Sequence, residues 1–305
     1  MTGTVQDGLR RFGVGRTAGF AVMLTALIAL SGCGDDAETS VGQRDTVELR
    51  VEILDPGVEP RTTIAYRPDP YRIESIAIVE SGRFEGPDGQ LIENPAARMR
   101  LTVGPVTLLE GGDFRTDIVF RDHALVDPYS ASPAAREVAS LSKKIASARG
   151  YALRSPGGVL KELSFPALAN EPELESVFST MKTALSRMQA VFPARPVGVG
   201  ARWRIEMPSR VFDATVSQEM EFVLERFDGT RGALSVRLSQ RGENIRRPDS
   251  RIMTLSTDGG GTMAFDITSA VSDADVVVRN DLSLEDGDRT RHRRIEFEVR
   301  VSREE

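Results

Sequence analysis

Cysteine occurs once in these 305 residues, tryptophan once and histidine twice. With a single thiol no internal disulfide can form, so the fold must rely on its core. The two histidines, His123 and His292, lie far apart, and neither has an acid at the spacing of a metal-binding motif. Gly-x-Ser-x-Gly, His-Glu-x-x-His and Walker-type loops are absent too, which removes the common hydrolase and nucleotide templates. The chain therefore reads as a non-enzyme with no cofactor and no metal site. Asp258-Gly259-Gly260-Gly261 sets a carboxylate beside glycines but lacks the alternating oxygens of a calcium loop. Gly198-Val199-Gly200 is a turn rather than a dinucleotide fingerprint, because a strand and not a helix follows it.

What is present begins with an address. Arg10, Arg11 and Arg16 form a basic leader, and Ala18 to Leu30 is an apolar run too short to span a bilayer comfortably. Leu30-Ser31-Gly32-Cys33 then completes a lipobox. Residues 1–32 are expected to be a lipoprotein signal peptide, cut after Gly32, with Cys33 carrying the lipid (a palmitate-type acyl set). Two or three acyl chains, at roughly 0.8 kcal/mol per buried methylene, make such an anchor effectively permanent. Phe12-Gly13-Val14 after the arginine pair suits ordinary secretion better than twin-arginine export. Cleavage leaves 36 basic against 44 acidic side chains, a net charge of −8, so nucleic acid is excluded as a partner. Residues 33–45 are small, polar and acidic, a flexible tether reaching at most about 40 Å. Gly34, where an inner-membrane retention signal would place Asp, points to the outer membrane facing the periplasm.

From residue 46 to 305 the chain reads as one β-rich periplasmic domain. Val47, Leu49, Val51 and Ile53 alternate with polar residues, as do Ile73, Ile76 and Ile78; Met99, Leu101 and Val103; and Phe114, Ile118 and Phe120. Leu234 to Leu238, Met263 to Ile267, Ala274 to Val278 and Ile295 to Val301 repeat the pattern near the C-terminus. Asp55-Pro56-Gly57, Gly86-Pro87-Asp88-Gly89, Phe227-Asp228-Gly229 and Glu285-Asp286-Gly287-Asp288 supply turns between them. Two amphipathic helices interrupt the strands. One opens at Ser132-Pro133 and stops at Gly150; the other runs from Glu171 to Val191 behind an Asn170/Glu173 capping box. In the second helix Leu174, Phe178, Met181, Leu185 and Met188 share one face, and Pro193 and Pro196 end it before a strand containing Trp203, Ile205 and Met207.

The run Phe192-Pro193-Ala194-Arg195-Pro196-Val197-Gly198-Val199-Gly200-Ala201-Arg202-Trp203 resembles the signature of the DUF6263-like family of uncharacterised bacterial lipoproteins. Tyr151 to Leu160 is similar to their preceding strand-turn-strand. Ala201 stands where that family usually has an acid. The resemblance implies a secreted, lipid-anchored β-rich domain and carries over no catalytic residue.

The expected architecture is α+β, mostly β: a large curved antiparallel sheet, half-barrel-like, with the two amphipathic helices on one face. Two functions fit that outline. One is a membrane-anchored envelope lipoprotein that binds a lipid or other apolar ligand, with Phe178, Met181, Leu185, Met188 and Trp203 as the lining. The other is a structural or protein-docking domain with no ligand pocket. Core packing explains the same apolar stripe without a ligand.

Overall fold

The computed structural model describes residues 49–85, 89–127, 140, 142–166, 190–211, 214–246, 251–286 and 289–304. They form one antiparallel sheet of twelve strands. Six of them, β7 (Arg202–Val211), β8 (Ala214–Phe227), β9 (Arg231–Arg246), β10 (Arg251–Asp266), β11 (Asp273–Asp286) and β12 (Arg289–Glu304), follow one another as a meander. Five more make a second meander: β2 (Glu74–Glu85), β3 (Leu91–Leu108), β4 (Phe114–Leu125), β5 (Arg149–Arg154) and β6 (Leu160–Ser164). The last strand of the first meander pairs with the first strand of the second, Val301 opposite Ile78. The strand β1 (Arg50–Asp55) adds to β7 at one edge, and β6 forms the other edge, so the sheet is open.

This order obliges two connections to travel far. Residues 56–73 leave the β1 edge to reach β2, and the connection after β6, described at residues 165–166 and 190–201, has to reach β7 on the opposite side. They meet on the way, Thr62 and Val197 exchanging backbone hydrogen bonds of 2.9 Å in both directions. Further bonds hold the two straps to the sheet ends: Tyr66 N–H to the Pro156 carbonyl at 2.8 Å, Arg67 N–H to Ile267 at 2.7 Å, and Phe192 N–H to Gly157 at 2.8 Å. At Gly158 a side chain has no room, since a Cβ there would meet the Ala190 carbonyl and lie 2.8 Å from the Tyr66 ring.

The straps show how far the sheet curls. Strands β7 and β4 are eight places apart, which at about 4.8 Å per place would separate them by about 38 Å in a flat sheet. Yet Trp203 of β7 reaches Phe114 of β4 through Phe192 and Tyr66, in ring-to-ring steps of 6.4, 5.3 and 6.4 Å. The inner face of the curl is the core, and alternate residues of almost every strand enter it. Glycines assist the bend. Gly259 and Gly261 lie in the middle of β10 with their missing side chains on the inner face. A Cβ at 259 would lie 2.8 Å from the Val277 carbonyl oxygen, and one at 261 would collide with the Asp275 carbonyl.

The helical expectations need correction. Among the described residues there is one short helix, at Ser140 and 142–145, rather than two amphipathic ones. The helix expected from Ser132 includes that short helix near its C-terminal end and otherwise lies outside the described residues up to residue 139, and the helix expected over 171–191 lies almost wholly outside them, apart from Ala190 and Val191, which are not helical. Nor is Gly150 a helix stop. Ser147 takes the left-handed conformation at φ 65° and donates its N–H to the Phe120 carbonyl at 3.1 Å, which hooks the chain directly onto β4. Gly150 then pairs with Ile118 inside β5, where a Cβ would lie 2.6 Å from the Phe165 ring. No helix of the described residues is long and apolar enough to cross a membrane.

Candidate functional site

The signal peptide, Gly32, Cys33 and the tether lie outside the described residues, and so do Phe178, Met181, Leu185 and Met188. Of the five residues expected to line an apolar ligand, Trp203 alone is described. It is fully buried in the wall of the curl, stacked on Phe222 at 5.7 Å and 12°, with its indole N–H donating to the Val191 carbonyl at 2.8 Å. Phe192 rests beside it and against Phe265 at 4.8 Å, so side chains fill this part of the interior.

Further along the strands the inner face changes character. Strand register places Ile205, Met220, Leu238, Gly259, Val278 and Phe297 in one continuous line across six strands, an apolar band interrupted only by the glycine. Two residues on, the corresponding line is Met207, Gln218, Gln240, Thr257, Asn280 and Ile295. Its four polar members are neighbours on consecutive strands and are only 2%, 1%, 1% and 2% exposed. Thr257 Oγ1 donates to Asn280 Oδ1 at 2.6 Å, and Gln218 Nε2 lies 3.7 Å from the Met207 sulfur. Among the described residues the Gln240 amide has a hydrogen-bond partner on neither its nitrogen nor its oxygen. A buried amide left unpaired costs roughly 1–3 kcal/mol.

Ionisable groups also face inward. Glu80 pairs with Val299, whose side chain is in the core, and burial alone pushes its carboxyl up to about 7. His123 reaches the inner face because β4 carries a bulge opposite Arg100 and Leu101 that shifts the alternation by one residue after Phe120. Its Nδ1 has no hydrogen-bond partner among the described residues, and burial lowers its pKa against the opposing charge of Asp122. His292, by contrast, is exposed on β12. Arg154, the last residue of β5, is 3% exposed, and its Nε and Nη1 have no hydrogen-bond partner. Burial brings its pKa down to about 10, with the Tyr66 phenol nearby partly opposing this. That phenol shares a 2.9 Å hydrogen bond with Ser272 Oγ, and burial raises it to about 12.

No family model matches this chain, and no curated protein does either.

These ionisable groups do not converge into a reacting centre. No group of three metal-ligating side chains occurs among the described residues. What the arrangement offers chemically is an apolar surface carrying a small number of unsatisfied polar groups. The polar line escapes a reading by hydrophobic alternation, because that method discards a strand where the apolar residues stop. The signal that finds it is the continued period of two: Leu234, Val236, Leu238 and then Gln240; Val276, Val278 and then Asn280.

Proposed function

We propose that this chain is a lipid-anchored bacterial envelope protein, allied to the DUF6263-like lipoproteins, that holds a lipid or other apolar ligand on the inner face of a half-barrel-like sheet. The anchor is Cys33 behind the Gly32 cleavage point, and the location is the periplasmic side of the outer membrane. The observation that carries this reading is the apolar band from Ile205 to Phe297 on the inside of an open curl, with Met220 supplying a flexible, polarisable contact. An open sheet can admit a chain-like molecule along its strands, and apolar burial at about 25 cal/mol per Å² retains it without any charged catalytic group.

Native mass spectrometry of the full chain, extracted from membranes in mild detergent, tests the reading. A ligand is expected as a discrete mass beyond the protein and its covalent acyl groups, removable by lipid extraction and restored by adding hexadecanoate. Only the acylated protein mass, before and after that addition, would rule it out.

The aromatic packing around Trp203 favours a second reading, a structural or protein-docking domain with a filled interior. Its contact surface would be one of the two sheet edges, β1 or β6. The same spectra separate the two, since a docking domain recovers a protein partner and no small molecule.

A further inference from the structure

The guanidinium of Arg154 is a buried charge to which no described carboxylate is paired. Its side chain lies on the inner face with Ala152, between Phe114 of β4 and Leu160 of β6, and beside Tyr66. Tyr66 in turn touches Phe114 and Phe192, so the walls around the charge are aromatic and aliphatic. The Arg154 Nε and Nη1 have no hydrogen-bond partner and no described carboxylate forms an ion pair with its guanidinium, in contrast to several other arginines. Arg100, Arg279 and Arg303 of the sheet, and Arg72 of the strap, each have a carboxylate within 3.3 Å. A protein that only needed to fill this position would do better with methionine or leucine, since an unpaired buried ion carries a large desolvation penalty. Arginine offers five donors in a planar fork suited to a carboxylate or phosphate.

We propose that Arg154 is the counter-charge for the anionic group, a carboxylate or a phosphate, of an apolar ligand, with the Tyr66 hydroxyl as a second donor. The inference rests on the ligand-holding function proposed above and narrows its substrate class to amphiphiles with one anionic head. The tail lies against apolar residues of the curl, and the head replaces the water that the guanidinium has lost.

The test compares the full chain with Arg154→Met and Arg154→Lys in a non-ionic detergent common to all arms, read by thermal unfolding and by titration of three probes. Hexadecanoate is expected to bind the unaltered chain at least about 10-fold more tightly than hexadecanol, the difference of one charge-assisted contact. In Arg154→Met that preference should vanish while hexadecanol binding is unchanged, and Arg154→Lys should restore part of it. Inorganic phosphate is the third probe. Stabilisation by phosphate that depends on Arg154, without binding of either alkyl probe, keeps the anion site and discards the lipid. Binding of both alkyl probes with equal affinity keeps the lipid and overturns the Arg154 proposal. It is equally overturned if ligand-free Arg154→Met melts several degrees below the unaltered chain, because the charge then already has a partner within the protein.

Discussion

Trp203 and Val191 are joined by a hydrogen bond from the indole N–H to the backbone carbonyl at 2.8 Å, and this bond ties the long connection between β6 and β7 to the wall of the curl. Both groups are buried, so neither could turn to water if the other were lost. The ring also stacks on Phe222, one strand away, which makes Trp203 the junction of sheet and strap.

Replacing Trp203 by Phe keeps most of the apolar volume and strands the Val191 carbonyl, an expected loss of about 1–3 kcal/mol. Trp203→Ala adds a cavity and should cost about 3–5 kcal/mol. Because the chain has one tryptophan, its emission in the unaltered protein reports this junction directly. A blue-shifted maximum that moves red in a single transition with denaturant is expected. Loss of the native emission well before the far-ultraviolet β signal would show that the strap is not tied to the sheet.

Glycines divide into two groups whose substitution should differ sharply. Gly229, in the β8–β9 turn at φ 101°, has open space around it, so Gly229→Ala should cost only about 1 kcal/mol of backbone strain. Gly261 has an ordinary φ, yet a Cβ there collides with the Asp275 carbonyl and lies 2.8 Å from Val276 Cα, both on the neighbouring strand. Gly261→Ala must force two backbones apart in the most continuous part of the sheet, with an expected cost of about 3 kcal/mol. Urea midpoints of the two variants, compared at equal slope, decide the matter. Similar shifts would mean that β10 does not approach β11 as closely as the structure has it.

Much of the fold was legible in the sequence because most strands alternate apolar and polar residues, and that period survives any tertiary context that keeps one face wet. The strand around Trp203, the turn at Phe227-Asp228-Gly229 and the hairpin at Pro156-Gly157 all follow from such local signals. Three things did not follow. Strand β8 was missed because Gln218 occupies an inward position and breaks the apolar rhythm. In sequence the glycine run in β10 compares only with a calcium loop, whereas its reason is close approach between strands. Strand order was not legible at all: nothing local says that Ile78 will sit beside Val301. The unpaired charge of Arg154 was hidden for a similar reason. Its inward parity with Ala152 is visible in sequence, but the absence of a paired carboxylate among the described residues is a property of the assembled core.

The proposed lipid anchor makes its own prediction. Cys33→Ala removes the only thiol that a diacylglyceryl group can occupy, so metabolic labelling with a radioactive fatty acid should disappear and the protein should leave the membrane fraction or accumulate uncleaved. Undiminished labelling of the variant would refute lipidation at this residue.

Glu80 gives the fold a pH dependence whose sign can be worked out. In the unfolded chain its carboxyl titrates near 4.5, and in the folded protein burial raises it to about 7. Between those values the folded state holds the extra proton, so this residue makes stability fall as pH rises through the window from 4.5 to 7, and above 7 the full penalty of a buried carboxylate remains. At 1.36 kcal/mol per pKa unit the penalty is at most about 3 kcal/mol, and smaller to the extent that water reaches a side chain that is only half-buried. Glu80→Gln keeps the shape and removes the charge. Its melting temperature should match that of the unaltered chain at pH 4 and exceed it by several degrees at pH 8. If the variant instead melts lower at pH 8, the carboxylate has a stabilising partner and Glu80 is not an uncompensated acid. Such a result would place a cation on the inner face of the sheet, within reach of β2.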